Sequence, residues 1–144
     1  MKFWDTSALI PLCVNEPHSP AVKAILTKDP TVVVWWATRI ECISALTRQG
    51  REGAIGVVGA RQARDALETL AKAWAEILPS EALRQTAERI LAVHPLKAAD
   101  ALQLAAALQW CQRQTADMDL VSFDARLREA AYKEGFTVLP ARAE

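Results

Sequence analysis

Four acidic residues stand next to apolar segments, where a charge needs a specific reason. Asp5 directly follows "KFW", and Asp124 directly follows "LVSF". Glu41 lies in "WWATRIEC", shortly after the apolar run "TVVVWW", and Asp100 interrupts "KAADALQLAAAL". An ionised carboxylate among apolar neighbours costs on the order of several kcal/mol unless a cation or hydrogen-bond donors compensate for it. These four residues are therefore the first candidates for chemistry.

Each acid, taken alone, also has a purely structural explanation. Asp5 and Asp124 are both placed to cap the helix that follows them. Glu41 completes a T-x-x-E capping box with Thr38. Asp100 can pair with the lysine one turn earlier or interact with the dipole of its helix. For any single residue the structural and the functional interpretation both remain open.

A shared cleft would give the four acids a common function. Their mutual repulsion would demand a counter-charge, and no run of Lys or Arg adjoins them. A divalent cation would supply this counter-charge, and carboxylate oxygens suit Mg²⁺ or Mn²⁺ better than zinc. His18 and His94 are too few and too poorly spaced for a histidine metal site, and we expect both on the surface or in loops. The three cysteines have no zinc spacing and are expected to be buried free thiols.

The elements that must position these acids follow from alternating sequence patterns. Apolar runs predict strands at 2–4, 31–36, 75–78, 120–123 and 136–140. Helical periodicity and capping residues predict helices at 7–14, 18–27, 38–49, 57–74, 80–93, 96–113 and 125–134. Strands separated by helices predict an α/β fold with a largely parallel central sheet. Binding sites in such sheets gather beyond the carboxyl ends of the strands, and three of the four acids follow strand ends.

Length and composition restrict the class of protein. A chain of 144 residues predicts a single domain, residues 1–144, and 51% hydrophobic residues argue against disorder. Lys plus Arg equals Asp plus Glu, at 17 each, so the overall charge neither favours nor excludes a polyanionic partner. No segment has the pattern of a bilayer span or a signal peptide, so we expect a cytoplasmic protein without membrane association.

Four segments together carry a resemblance to a known family. "DTSALI" with Glu16 and Pro17 shortly after it, "ECISALTR", "AADALQLAAAL" and "LVSFDARL" resemble the PIN-domain ribonucleases, especially the VapC-like toxins of bacterial toxin–antitoxin pairs. The resemblance extends from Asp5 to Pro140, with the motifs in the family's order. It implies a PIN-like fold, in which helices flank a central, mostly parallel sheet of about five strands.

The resemblance also implies a set of functional residues. The family's acidic quartet, which serves as catalytic residues and metal ligands, corresponds to Asp5, Glu41, Asp100 and Asp124. Thr6 or Ser7 would orient Asp5. Ser122 stands where the family often has Thr, so a hydroxyl is retained.

The activity implied by the resemblance is that of a Mg²⁺- or Mn²⁺-dependent endoribonuclease. Metal-activated water would cleave single-stranded or looped RNA. The implied partners are a cognate antitoxin protein and, in a homodimer, a second copy of the chain; apolar surface on helices 7–27 and 38–74 would serve both. Four basic neighbours of the acids are candidates for binding flanking phosphates or, alternatively, for solvated helix faces: Arg39, Arg48, Lys97 and Arg126.

Two other functions remain open. A phosphatase working through an aspartyl-phosphate would use Asp5 as its nucleophile. Such enzymes usually carry a second Asp two residues later, where this chain has Ser7. The non-enzymatic alternative is a binding module that kept the PIN fold without the activity.

Overall fold

Five parallel strands form the centre of the computed structural model, which describes residues 1–141. The strands are β1 (Lys2–Trp4), β2 (Val32–Trp35), β3 (Ala75–Ile77), β4 (Asp119–Val121) and β5 (Thr137–Leu139), in the spatial order β3-β2-β1-β4-β5. Phe3, in the central strand, pairs with Val33 on one side and Leu120 on the other. The predicted α/β fold is confirmed, and every strand pairing within these residues is parallel.

Seven helices of the described residues flank the sheet. They are α1 (Thr6–Cys13), α2 (Ser19–Lys28), α3 (Thr38–Arg51), α4 (Val57–Ala73), α5 (Glu81–Val93), α6 (Ala98–Trp110) and α7 (Ala125–Lys133). Their order agrees with the prediction, but α3 continues through Gly50, where it was expected to end. The turn is made instead by Gly53, whose φ of 73° lies in the left-handed region that glycine adopts without strain.

The strands separate two hydrophobic cores. Phe3 and Val33 face one core, which α5, α6 and α7 cover. Trp4, Val32 and Val34 face the other, which the first four helices cover. Successive side chains of a strand point to opposite faces, so strands buried on both sides need continuous apolar runs. This explains why β1, "KFW", and β2, "VVVW", contain no polar residue other than Lys2.

Helix α6 is the most deeply buried helix of the fold. Residues 104–107 have no exposed surface, and the alanines among them let neighbouring elements approach closely. The apolar composition of α6 therefore reflects packing between the sheet and α5. No helix within residues 1–141 is long and apolar enough to cross a membrane.

Because the strands are parallel, they end at one edge of the sheet, and three of these strand ends precede the helices that carry or follow candidate acids. β1, β2 and β4 all end at this carboxyl edge and lead into α1, α3 and α7. β4 ends at Val121, two residues before the predicted end. The early ending has a local cause, because the Ser122 hydroxyl accepts a hydrogen bond from the Asp124 N–H at 3.1 Å and turns the chain toward α7.

The two histidines are both more enclosed than expected. His94 is buried, and its Nε2 lies 2.7 Å from a Glu134 carboxylate oxygen. Burial would raise the pKa of Glu134, but hydrogen bonds from His94 and Arg89 outweigh it and hold that pKa below its usual range. His18 is half-buried and stacks on Phe123 at a ring separation of 3.9 Å. His94 does lie in a loop, directly after α5, but it is buried rather than on the surface, and the contact with Glu134 gives its buried ring nitrogen a polar partner.

Candidate active site

Asp5 lies directly after β1 and caps α1. One carboxylate oxygen accepts from the Ser7 backbone N–H and the other from the Ser122 hydroxyl. The residue is only 3% exposed. Burial raises the pKa of Asp5 to about 6, although both hydrogen bonds lower it, and the nearby charge of Asp124 raises it further. The predicted helix cap is present, but it holds the Asp5 carboxylate in a buried position, where the ionised form is disfavoured.

Ser7 and Ser122 join the end of β1 to the end of β4. The Ser7 hydroxyl accepts from the Phe123 backbone N–H at 2.8 Å and lies 3.4 Å from the Ser122 hydroxyl. The two serines also contact Asp5, and Ser122 turns the chain toward Asp124. These hydroxyls thus fix the two acids of neighbouring strands relative to each other.

Thr6 orients a different acid from the one expected. Its hydroxyl donates to a Glu41 carboxylate oxygen at 2.6 Å, whereas Ser7 contacts Asp5. Glu41 lies in the first turn of α3, where the sequence also suggested a capping box with Thr38. That capping box is absent: α3 is preceded by Ala37 as its N-cap, with no side-chain cap bond. Glu41 instead points toward α1 and α6.

Gln103 is the functional candidate that the sequence analysis missed. Its side-chain amide nitrogen lies 2.8 Å from Glu41, 3.0 Å from the Thr38 hydroxyl and 3.4 Å from the Thr6 hydroxyl. The side chain is 2% exposed. Placing the amide oxygen there instead would set it against the Glu41 carboxylate, so the orientation is electrostatically determined. Gln103 follows Asp100 by three residues and so shares its helix face, which is the sequence signal available for it.

Asp100 and Asp124 complete the acidic set. Half-buried Asp100 lies in the first turn of α6, and its pKa is raised by burial and by the charges of Asp124 and Glu41. Lys97 lowers that pKa, but the predicted Lys97–Asp100 pair is not among the ion pairs of residues 1–141. Asp124 caps α7, accepting from the Leu127 N–H at 2.8 Å, as the structural interpretation predicted.

All four predicted acids line one cleft with a volume of about 350 Å³. Each comes from a different element: the β1–α1 junction, α3, α6 and the start of α7. Thr6, Ser7 and Gln103 line the same cleft, and so do Glu16 and Arg48, which the sequence motifs also contain. Ser122 reaches the cleft only through Asp5. The structure therefore places together residues that are up to about 120 positions apart in the chain.

The donor set fits a hard divalent cation. None of the ion pairs within residues 1–141 involves any of the four acids. Carboxylate oxygens are the ligands that Mg²⁺ and Mn²⁺ prefer. In their present positions, however, no three acidic, histidine or cysteine side chains of the described residues converge closely enough to hold one ion. Ion binding would therefore require carboxylates to turn toward one another.

Solved structures with the same fold include a bacterial toxin and a bacterial toxin–antitoxin complex. VapC20 from Mycobacterium tuberculosis, described as a sarcin–ricin loop cleaving toxin, aligns with a TM-score of 0.69 at 19% identity, over 95% of this chain and 97% of that chain. A toxin–antitoxin complex from Klebsiella pneumoniae aligns with a TM-score of 0.58 at 19% identity, over 88% of each chain.

A third structure, FitAcB from Neisseria gonorrhoeae, aligns with a TM-score of 0.67 at 17% identity, over 96% of each chain. No curated protein matches the sequence. At these identities the structural likeness establishes the fold alone. The sequence provides independent evidence of the family, because residues 2–133 match the model of the PIN domain. This match spans all the strands but β5 and all four acids, and it shows that the chain belongs to the PIN domain family.

Proposed function

We propose that this protein is a Mg²⁺- or Mn²⁺-dependent endoribonuclease that acts as the toxin of a toxin–antitoxin pair. The observation that carries the proposal is the cleft in which Asp5, Glu41, Asp100 and Asp124 meet without an ion-pair partner among residues 1–141. Membership of the PIN domain family supports it, and so do the toxin descriptions of similarly folded structures.

Some carboxylates of the cleft are held in place by hydrogen bonds, and others are able to turn. Ser7 and Ser122 hold both oxygens of Asp5, and Thr6 and Gln103 hold one oxygen of Glu41. Asp100 has no side-chain hydrogen bond within residues 1–141 and is free to turn. Asp5 and Glu41 thus provide fixed ligands, while Asp100 and the second oxygen of Asp124 adjust to the ion.

The chemistry requires charge neutralisation and a proton acceptor. A bound Mg²⁺ or Mn²⁺ would supply a water of lowered pKa and compensate the charge of the phosphate. Asp5, fixed by its hydrogen bonds, would keep the ligand set oriented during the reaction. Either Glu41 or Asp124 would accept the proton of the attacking water, and the hydrogen bonds of the cleft support both assignments equally. The RNA would enter from the open side of the cleft as a single strand or loop.

Sequencing of RNA ends tests this function directly. The wild-type protein with Mn²⁺ should produce discrete new ends in a mixture of structured and single-stranded RNAs, and EDTA should abolish them. Asp100→Asn should lower cleavage roughly 100-fold or more, because it removes a metal ligand rather than an outer contact. Asp65→Asn, an exposed acid of α4 outside the cleft, is the matched control and should cleave normally. Equal cleavage by wild type and Asp100→Asn would remove Asp100 from the site.

The two alternative functions lead to different results in the same assays. A phosphatase using Asp5 would release phosphate from p-nitrophenyl phosphate and leave RNA intact. The position two residues after Asp5 is Ser7, whose hydroxyl is engaged by the Phe123 N–H, so the site offers no acid there. A silent binding module would leave both substrates unchanged in the presence of Mn²⁺.

The proposed partners are an antitoxin protein and a second copy of the chain. Of the two stretches for which apolar surface was predicted, residues 38–74 expose large apolar side chains, with Ile40 at 63%, Val57 at 87% and Val58 at 70%, whereas residues 7–27 expose none. Burying such side chains favours association. Light scattering of the purified chain should give twice the 15.8 kDa of one copy. A mass of one copy at all concentrations would exclude the homodimer, and the antitoxin would then be the only partner proposed for this surface.

A further inference from the structure

We infer that Lys97 and Arg126 form a phosphate-binding site for the RNA strand, on the far side of Asp100 and Asp124 from Arg48. The inference rests on the proposed nuclease function and deepens it, since it assigns a path to the substrate. It concerns the backbone of the RNA and makes no use of base identity.

The first observation is a second cavity that adjoins the acidic cleft. It has a volume of about 400 Å³ and is lined by Lys97, Asp100, Asp124 and Arg126. Two of these residues, Asp100 and Asp124, also line the acidic cleft, so the two spaces meet at these carboxylates. The second cavity contains no residue of α3. Arg48 lines only the acidic cleft, whereas Lys97 and Arg126 line only the second cavity.

The second observation is that these cations have no ion-pair partner in the part of the chain that the structure describes. Lys97 and Arg126 are exposed, and neither takes part in an ion pair among residues 1–141. Arg39 behaves differently, because its guanidinium pairs with Glu68 and it lines neither cavity. Of the four basic residues considered from the sequence, the structure thus separates Arg39 from the other three.

The third observation is the unfavourable placement of both cations in their helices. Lys97 is the N-cap residue of α6, and Arg126 lies in the first turn of α7. The N-terminal end of a helix carries partial positive charge, so a cation there is disfavoured. Neither position is explained by helix stability. A phosphate between the two helix ends would be attracted by both cations and by the free N–H groups of α6, which has no side-chain cap.

Arg48 defines the opposite end of the path. It lines the acidic cleft and lies seven residues after Glu41 on α3, about 10 Å further along the helix axis. A strand whose scissile phosphate sits at the carboxylates would therefore meet Arg48 on one side and the Lys97–Arg126 pair on the other. Phosphate contacts of this kind fix the register of a nucleic acid.

The salt dependence of cleavage tests the inference. The substrate is a short single-stranded RNA of mixed sequence with a fluorophore and a quencher, and kcat/KM is measured against KCl concentration with Mn²⁺ present. Each lost phosphate contact on a single strand makes the log–log slope shallower by about 0.7. We expect a change of about 0.7 for the double variant Lys97→Gln/Arg126→Gln, whose two cations share one phosphate, and about 0.7 for Arg48→Gln. Arg39→Gln, the control, and the charge-conserving Lys97→Arg/Arg126→Lys should keep the wild-type slope.

The slope is the decisive readout because rate alone is ambiguous. Removing Lys97 also removes a charge that favours ionised Asp100, so a slower reaction would follow even without a phosphate contact. That effect would lower kcat/KM at every salt concentration and leave the slope unchanged. A double variant that cleaves RNA with the wild-type slope overturns this inference alone. A wild-type protein that does not cleave RNA overturns the proposed function and this inference with it.

Neutral phosphates then test the direction of the path. Once the cut site is mapped, single methylphosphonates are placed on either side of it. A neutral phosphate contacted by Lys97 and Arg126 should slow the wild type but leave the double variant unaffected, and the position sensed by Arg48 should lie on the opposite side of the cut. If both variants lose sensitivity to the same phosphate, the two-sided path is wrong.

Discussion

At the scale of single residues, Asp5 shows how the site and the stability of the protein conflict. Its carboxylate is held by Ser7 and Ser122 in a position where burial raises its pKa to about 6. At neutral pH the residue is thus mostly ionised in surroundings that favour the neutral form. A bound divalent cation would reverse this preference, since a nearby positive charge favours the ionised carboxylate.

This conflict predicts a specific pH dependence for the metal-free protein. The folded pKa of Asp5 lies above the unfolded value of 3.8, so the folded state binds the proton more tightly. The stability contributed by the protonated form is present below pH 4 and is lost as the pH rises through about 6, by up to about 3 kcal/mol. Urea unfolding in EDTA should therefore show Asp5→Asn losing less stability than the wild type between pH 4 and 7.

The same comparison has a clear contrary outcome. If the wild type and Asp5→Asn show parallel stability profiles over this range, Asp5 does not carry a raised pKa. Adding Mn²⁺ at pH 7 should stabilise the wild type but not Asp5→Asn, since a ligand that binds only the folded state raises its stability.

Gln103 gives a second prediction at this scale. Gln103→Leu keeps the buried volume and removes the amide that contacts Glu41 and Thr38. We expect the affinity for Mn²⁺ to fall by about 10- to 100-fold, the usual cost of removing a group that orients a metal ligand. Calorimetric titration measures it, with Gln109→Leu, at an exposed position of the same helix, as the control. Unchanged affinity would make Gln103 a packing residue only.

The candidate residues differ in how visible they are in the sequence. The four acids could be selected because a charge beside apolar segments is unusual in itself. Gln103 and the Thr6–Glu41 bond could not, because hydrogen bonds between distant elements depend on tertiary packing. The capping box proposed for Thr38 and Glu41 failed for the same reason: Gln103, from α6, engages both side chains.

At the scale of elements, the pattern of apolar residues predicted type and order, and the boundaries were less accurate. Strands buried on both faces leave a strong signal, as "TVVVWW" does for β2. Boundaries depend on individual hydrogen bonds. Ser122 ends β4 by accepting from the N–H of Asp124, and Gly53 rather than Gly50 provides the turn after α3.

Gly135, between α7 and β5, is the boundary residue whose substitution should affect stability most. Its φ is 104°, and a Cβ atom there would lie 2.2 Å from the Thr115 hydroxyl oxygen. Gly135→Ala should destabilise the protein by about 1–3 kcal/mol, because strain and a clash add together. Gly59→Ala, within α4, has its nearest contact at 3.7 Å and should instead stabilise by up to about 1 kcal/mol. Urea denaturation of both variants decides; a neutral Gly135→Ala would contradict the expectation.

At the scale of the whole molecule, strand order explains why the acids meet. The chain proceeds from β1 through β2 to β3 on one side, and then returns to place β4 on the other side of β1. Sites in parallel sheets form where the order reverses in this way. Asp5 and Asp124 follow the two strands that flank this point. The alternation of elements predicted a parallel sheet, but strand order is a property of the packed molecule, which local patterns do not encode.

The most direct test of the account is a calorimetric titration of the metal-free protein with Mn²⁺. The account predicts saturable binding to the wild type at a stoichiometry of one or two ions, normal binding to Asp65→Asn, and loss of binding in Asp5→Asn and Asp100→Asn. A folded wild-type protein that takes up neither Mn²⁺ nor Mg²⁺, or one whose binding survives both cleft substitutions, would contradict it.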